Sequence, residues 1–537
     1  MAFFIVLGLL IIAAFIIVII QRNKSRVGAA WIIALIASSS AWLVLFLLRL
    51  FLPLSLELLR WLPAELFQGT LGLNLDYFSW PYAIAVMTLC VASISTQTTL
   101  ISIKESTPKW LASLILTALT LISLASSNAL TLAMTWSIID LTEFFYEIRS
   151  SSPYRKQGHL MGVFVVRILS TFTLVFATSV AWQVQPNFDL NQIPSSSGIF
   201  FLLAAGLRLG VLPIHIPFIV SDDESQQTAF AFRLAPVASA LTLIAHLPKD
   251  FLTINPTLFI IIQVLNLIAM LYASMMWVSK KTDIEAQPYW IVALSAFALQ
   301  CALNGEAANS RVWGLALLLS GGLLFAFNPP IRRIRFIPAL GLIGLVGLPY
   351  TLLASGWQSV LGQYFSFMSV IVLISHSLLV LGYLRYVVEA SGAVTGLEKH
   401  ARVTFPLGLI IIFQTIVILG LIAWPGVLTL GVWWAGLVSL VITGLVILVL
   451  KIMGVQNLRA DLPAKLPYYR IIAPVIRFLS AFFSLKWFYN ALSWLYRRVL
   501  RFESFGSQII EGDGGVLWSL VFLLIIFLIF VSKAGGL

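Results

Sequence analysis

The chain has 537 residues, 60% of them hydrophobic and only 10% charged, whereas a typical soluble domain is about 25% charged. A chain this apolar has too little polar surface to face water, so its solvent is lipid. The formal net charge of +12 does not point to nucleic acid, because the cations sit between apolar runs, where they act as topology signals.

In lipid every backbone N–H and C=O needs an internal partner, which leaves a helix bundle or a closed barrel. The apolar runs are continuous and about 18–25 residues long, the length of a helix crossing a hydrocarbon core of about 30 Å. Barrel strands would be about 10 residues long with period-two alternation. The predicted fold is therefore an all-α polytopic membrane protein of about sixteen transmembrane helices. In chain order the spans are 2–20, 29–52, 79–103, 109–126, 129–147, 159–184, 198–220, 227–247, 256–279, 286–303, 311–327, 336–357, 364–384, 404–424, 428–451 and 514–533. The first lacks a basic leader and a small-residue cleavage site, so it reads as a retained helix and not a signal peptide.

Two stretches are not ordinary spans. Pro53–Phe78, between the second and third, is read as a non-cytoplasmic loop mixing apolar and acidic residues. Lys465–Glu503, before the last span, interleaves Tyr468, Tyr469, Phe478, Trp487 and Trp494 with Arg470, Arg477, Lys486, Arg497 and Arg498. That mixture suits a helix lying in the cytoplasmic membrane interface. The corresponding domain reading is 1–108 (spans 1–3), 109–390 (a core of spans 4–13), 391–452 (spans 14–15), 465–506 (the interfacial helix) and 514–537 (the last span).

Lysine and arginine placement sets the orientation. With the N-terminus outside, 25 of the 33 Lys and Arg residues fall on cytoplasmic segments. Only Arg49, Arg60, Lys249, Arg311 and Lys533 fall outside. An even span count then puts both termini on the non-cytoplasmic side, and the basic loops suit a bacterial plasma membrane.

Ionisable side chains inside spans are costly and signal function by default. Span 5 carries Asp140 and Glu143, span 6 Arg167, span 7 Arg208 and His215, and span 8 Arg233. Two acids and three arginines on four consecutive spans predict a buried, mutually compensated network. His376 and His246 read as a hydrogen-bonded bundle histidine and an interfacial one. Pro213 and Pro349 lie inside spans 7 and 12, where a proline frees a carbonyl and bends the helix. Span 7 is fourth in the set 4–8 and span 12 is fourth in the set 9–13, which predicts inverted repeats with broken helices. Cys90 and Cys301 lie in apolar runs and form no disulfide framework or metal set.

These residues resemble the antiporter-like family, the large proton-channel subunits of respiratory NADH:quinone oxidoreductase (complex I) and of multi-subunit sodium/proton antiporters. The segment Gly206-Leu-Arg-Leu-Gly-Val-Leu-Pro-Ile-His215 looks like the family's helix 7 break, with Arg208 at the lysine position. Arg233 in Phe232-Arg-Leu-Ala-Pro-Val237 matches the helix 8 position, where the family carries lysine or histidine. Thr135-Trp-Ser-Ile-Ile-Asp-Leu141 resembles the helix 5 motif, Val165-Val-Arg167 the helix 6 arginine of the longest family member, and Gly347-Leu-Pro-Tyr-Thr351 the helix 12 break. The cytoplasmic helix before a last span is also similar to that longest subunit, whose lateral helix braces its neighbours.

The resemblance implies a proton path through a helix 5 glutamate, lysines on helices 7 and 8 and a titratable residue on helix 12. This chain departs from it. Ser137 stands at the glutamate position, Arg208 at the helix 7 lysine, Trp357 at the helix 12 residue and Ser170 where an acid should follow the helix 6 arginine. Arginine effectively never releases a proton. Asp140, three residues after Ser137 and expected on nearly the same face, is the candidate counter-ion to Arg208.

The functional expectation is a membrane subunit of an NADH:quinone-oxidoreductase-like or cation/proton antiporter-like complex, linked to proton translocation but with an altered channel. Its partners would be other membrane subunits and the bilayer. Flavin, iron–sulfur and quinone chemistry would belong to redox partner subunits, because no nucleotide loop, flavin fingerprint, cluster or zinc motif is present, and the chain itself is expected to hold no cofactor. The alternatives are a membrane scaffold for a soluble enzyme, as in inorganic-carbon uptake, and a stand-alone secondary ion transporter.

Overall fold

The computed structural model describes residues 2–21, 27–60, 70–97, 106–150, 157–186, 188–218, 231–251, 256–280, 283–327, 331–362, 365–388, 401–422 and 432–452, together with Trp494, Arg498 and Leu523. The chain divides into two units, Met1–Tyr469 and Arg470–Leu537. In the second, the Arg498 guanidinium sits over the Trp494 ring, 4.8 Å from its centroid. The predicted interfacial helix and the sixteenth span otherwise lie outside the described residues.

Each of the first fifteen predicted spans holds a helix. They are α1 (Ala2–Gln21), α2 (Val27–Leu47), α3 (Trp80–Thr96), α4 (Ser106–Leu124), α5 (Ala129–Ser150), α6 (Gln157–Val184), α7 (Gly198–Leu209), α8 (Val237–Ala245), α9 (Pro256–Ser279), α10 (Asp283–Leu303), α11 (Ser310–Ala326), α12 (Phe336–Val346), α13 (Phe367–Val388), α14 (Ala401–Ile422) and α15 (Trp433–Ile452). Nine helical segments among the described residues are long and apolar enough to cross a membrane, and five more are apolar but shorter. α5 is long enough, but its acids reduce its hydropathy. The protein is an integral membrane protein. Its outward faces are apolar, as at Ile12 on α1, Phe172 on α6 and Val441 on α15, all exposed, which only lipid or a partner subunit makes tolerable.

α3 is the central helix, and every residue from Trp80 to Thr96 is buried. It packs against α2, α4, α11 and α14. Indole and hydroxyl groups tie it to them: Trp31 Nε1 donates to the Ile94 carbonyl at 2.8 Å, Trp42 Nε1 to Thr88 Oγ1 at 2.8 Å, and Thr88 meets Thr415 at 3.1 Å. Such interhelical bonds matter where lipid removes the hydrophobic drive between helices. The N-terminus of α3 is capped reciprocally. Asp76 Oδ1 accepts the N–H groups of Phe78 and Ser79 at 3.0 and 2.8 Å, and Ser79 Oγ accepts the Asp76 N–H at 3.0 Å, a capping-box arrangement. Asn128 does the same service for α5, its Oδ1 accepting the Thr131 N–H at 2.9 Å.

The stretch read as an irregular loop before α3 is a hairpin instead. β1 (Leu54–Arg60) pairs antiparallel with β2 (Thr70–Leu75), with Leu54 opposite Leu75 and a register irregularity between Glu57 and Leu59. Leu54 and Leu56 are half-buried while Ser55 and Glu57 are exposed, the period-two alternation of a strand. The Ser127 N–H donates to the Gly72 carbonyl at 3.0 Å, so the hairpin covers the α4–α5 connection.

Both predicted breaks are present, and both occur at a glycine ahead of the proline. α7 ends at Gly210 (φ 76°) and α12 at Gly347 (φ 74°). The left-handed conformation at C′ ends a helix cheaply only at glycine. Spans 7 and 12 are therefore shorter than predicted: α7 stops at Leu209, and after α12 the chain passes through a 3₁₀ segment, Leu352–Gly356, to a short helix, Trp357–Leu361. The helix before each break is the fourth of five, in α4–α8 and α9–α13.

Candidate functional site

The side chains that build the site project from α5, α6 and the end of α7. On α5, Trp136, Asp140, Glu143 and Glu147 recur at four-, three- and four-residue steps, so they form one stripe. Trp136, Asp140 and Glu143 are buried. Arg208 occupies the last turn of α7, immediately before Gly210 ends the helix. Its guanidinium grips Asp140 with two parallel bonds, Nη1 to Oδ2 at 3.0 Å and Nη2 to Oδ1 at 2.8 Å. It also lies over the Trp136 ring, 4.4 Å from the centroid, and Trp136 Nε1 donates to Ser239 Oγ on α8 at 2.9 Å. A planar fork on a carboxylate and a ring face is the geometry arginine suits and lysine does not.

Arg167 on α6 completes the cluster. Its Nη1 donates to Glu143 Oε2 and lies 3.5 Å from Asp140 Oδ1. Its Nη2 donates to the Pro217 carbonyl at 3.3 Å, in the turn after the α7 break. Two acids and two arginines are thus gathered on three helices, and the charges balance, as buried ions require.

The other predicted site residues are placed differently. Arg233 donates to Gln287 Oε1 on α10 at 3.4 Å and sits 4.7 Å over the Phe218 ring. Phe218 lines the cleft beside the cluster and also lies under the Arg233 guanidinium. His215 folds back on the break, its Nδ1 2.8 Å from the Pro213 carbonyl. Ser137 is exposed and donates to the Ala133 carbonyl of its own helix at 2.9 Å. It does not share the face of Asp140: three residues advance a helix by about 300°, and the remaining offset of about 60° separates a lipid-facing position from a buried one. Ser170 Oγ donates to the Ala204 carbonyl at 2.9 Å and joins α6 to α7.

The second break is filled with rings. Trp357 is fully buried, and a Cβ on Gly347 would lie 2.3 Å from its Nε1, so the indole rests on the glycine that ends α12. Its ring meets Trp313 at 5.4 Å and His376 at 4.6 Å. Both His376 nitrogens are engaged, Nδ1 with Ser439 Oγ at 2.7 Å and Nε2 with the Leu345 carbonyl at 3.0 Å. Pro349 follows in the turn, and Tyr350 takes φ 64°. From Asn266, polar side chains run to the same region: Asn266 Nδ2 donates to Gln300 Oε1 at 2.9 Å, Gln300 Nε2 to Asn304 Oδ1 at 3.2 Å, and Asn304 Nδ2 to the Ser359 carbonyl at 2.8 Å. None of these amides titrates.

Sequence reasoning missed Glu147, Phe218 and Gln287. Glu147 was legible, since it continues the stripe of Asp140 and Glu143. Phe218 and Gln287 carry no local signal, because only the chain path after the α7 break and the packing of α10 bring them in. No group of three or more metal-ligating side chains occurs among the described residues.

Among solved structures, the chain is similar to one in the Mrp complex from Dietzia sp. DQ12-45-1b, with a TM-score of 0.70 and 13% identity, covering 98% of this chain and 63% of that one. A chain of the membrane-bound sulfane sulfur reductase, an archaeal respiratory membrane complex, aligns with a TM-score of 0.68 and 16% identity over 98% of this chain and 99% of that one. The fold is that of these two membrane-complex chains. The chain spans just under two thirds of the Mrp chain's length, and the full length of the reductase chain. No family model matches it, and no curated protein does. With identities this low the likeness establishes the fold, and the chemistry must be argued from the side chains.

Proposed function

We propose that this chain is a membrane subunit of a multi-subunit complex of the complex I-like or cation/proton antiporter-like kind, and that its own proton channel is closed or strongly modified. The observation that carries the second clause is the buried, bidentate Arg208–Asp140 pair at the α7 break. A lysine there would exchange protons when burial lowers its pKa; an arginine stays charged. The pair is therefore a fixed dipole that biases its surroundings and does not relay. At the other break, Trp357 offers no titratable group and its neighbour His376 has both nitrogens bonded. The assembly clause is supported by the fold neighbours, both chains of membrane complexes, and by the extensive apolar outer faces. The orientation proposed is the one the basic residues set, with both termini on the non-cytoplasmic side of a bacterial plasma membrane, and redox subunits are proposed partners.

Purification of the tagged chain in mild detergent tests assembly. Co-purifying membrane subunits are expected, with redox subunits among them. A monodisperse single chain, or a lone soluble enzyme as its partner, would refute it.

A further inference from the structure

At the hairpin end of the bundle, the C-terminus of α8 meets the N-terminus of α3 through a histidine. His246 follows directly on α8. Its Nδ1 lies 2.9 Å from the Thr242 carbonyl, among the last four carbonyls that a helix leaves without a donor. Across the ring, Nε2 lies 3.6 Å from Asp76 Oδ2 and has no hydrogen-bond partner among the described residues. A carbonyl and an ionised carboxylate can only accept, and a neutral imidazole has one N–H and one bare lone pair. Whichever nitrogen carries the single proton, the other turns its lone pair on an oxygen. Only the doubly protonated ring suits both neighbours, and a helix C-terminus also favours a cation. Asp76 Oδ1 accepts the Phe78 and Ser79 N–H groups, which leaves Oδ2 to face the ring. From α11, Arg311 opposes a charge there: it lies 4.0 Å over the Phe78 ring, itself 5.5 Å from the His246 ring, and interacts with Asp76 and with Tyr82 of α3. Its guanidinium donates to the Ala308 and Tyr77 carbonyls. Cys301 of α10 is buried, Glu306 accepts Asn309 Nδ2 at 3.2 Å, the Tyr77 hydroxyl donates to the Leu52 carbonyl, and Lys249 and Asp250 follow α8. The ends of α4 and α7 on this side, 121–124 and 198–202, carry no charged side chain.

We propose that His246 is a proton-operated clasp: protonated on both nitrogens it fastens the end of α8 to the cap of α3, and neutral it lets go. In the closing step a hydronium gives its proton to the bare nitrogen, leaving water, and no other covalent bond changes. The Nε2–H then donates to Asp76 Oδ2 and draws in the 3.6 Å separation, while the Nδ1–H keeps the Thr242 carbonyl. As pH rises the proton returns to water and the lone pair again faces an oxygen. The two side chains are 11% and 14% exposed, so the proton arrives from the surface without crossing the bundle. Imidazole is the side chain that ordinarily titrates between about pH 5 and 8. Asp76 stays ionised throughout that range: burial raises its carboxyl, but the His246 ring and Ser79 hold it down to about 2. The clasped helix is the one whose Ser239 accepts Trp136 Nε1, and the Trp136 ring carries the Arg208 guanidinium. The clasp goes beyond the function proposed above and requires neither a partner subunit nor flux.

The test is nitrogen-15 magnetic resonance of the full chain in nanodiscs with labelled histidine. The chain has only 5 histidines, and His246→Gln identifies the signal by its loss; should that variant not fold, through-space transfer from the Phe78 ring identifies it instead. Near the ordinary imidazole value of about pH 6.5, the doubly protonated signature is expected in a larger share of wild-type rings than of Asp76→Asn rings. The asparagine keeps an oxygen for the Phe78 and Ser79 N–H groups, so the cap of α3 remains. Hydrogen exchange in the last turn of α8, corrected for the intrinsic effect of pH, should slow several-fold between about pH 8 and pH 5 in the wild type, and this slowing should be lost in His246→Gln. Equal shares of doubly protonated ring in the wild type and Asp76→Asn, or the same slowing in His246→Gln, would overturn the proposal.

Discussion

At the scale of single residues, the guanidinium of Arg208 decides most of the chemistry. Removing it leaves Asp140 buried with only the more distant Arg167, and breaking a buried pair this way costs about 3–5 kcal/mol. Arg208→Ala should therefore lower the melting temperature in detergent far more than Arg208→Lys, which keeps a charge but loses the fork. Equal losses in the two variants would mean that the bidentate geometry contributes nothing. Asp76, outside the spans, gives a pH-dependent prediction. Burial pushes its carboxyl up, but the neighbouring His246 ring, 3.6 Å away, and the Ser79 N–H and hydroxyl outweigh that and hold it down to about 2. A depressed carboxyl stabilises the fold above its unfolded value near 3.8, and the contribution is lost as pH falls through about 2. The shift corresponds to about 2 kcal/mol. Wild type should out-melt Asp76→Asn at neutral pH and converge with it in strong acid; a gap that stays constant with pH would contradict the cap's electrostatic origin.

At the scale of elements, the two broken helices rest on glycine. A Cβ at Gly210 would lie 2.5 Å from the His215 carbonyl oxygen, and at Gly347 2.3 Å from the Trp357 ring nitrogen. Left-handed backbone costs a non-glycine residue about 1–2 kcal/mol before any clash. Gly347→Ala should thus destabilise by more than that strain alone and disturb the near-ultraviolet signal of the Trp313–Trp357 pair. An alanine at Gly305, which also has a positive φ but open space around its Cβ, should show the strain without the tryptophan change. Span existence was legible here because apolar length survives any local detail, whereas the breaks were placed at the prolines, several residues beyond where the helices stop. Proline announces itself in sequence, but the glycine two or three residues earlier is what takes the left-handed turn. The hairpin β1–β2 was hidden for a different reason. Its Leu-Ser-Leu-Glu alternation is plain, but it is short and lies between two long apolar spans, so the stretch reads as a loop.

At the scale of the whole molecule, the proposed reading is of a closed channel, because the two helix breaks are occupied by the Arg208–Asp140 pair and by Trp357. The sequence shows the charges of α5 to α7, since ionisable residues in apolar spans stand out, and it offered Asp140 as the partner of Arg208, though by way of a face shared with Ser137 that the structure does not have. It did not show that Arg233 belongs with Gln287 and Phe218, or that Ser137 faces outward, because both depend on helix rotation and on the chain's course after Gly210. Trp357→Ala would vacate a large buried ring at about 3–5 kcal/mol. If the ring is a plug and not merely core, that variant should leak protons where the wild type does not, read from an entrapped pH dye. The most direct test of the central claim is proton flux into proteoliposomes holding the wild-type chain alone under an imposed potential. The account predicts no flux above protein-free vesicles, and rapid flux that Asp140→Asn leaves unaltered would contradict it.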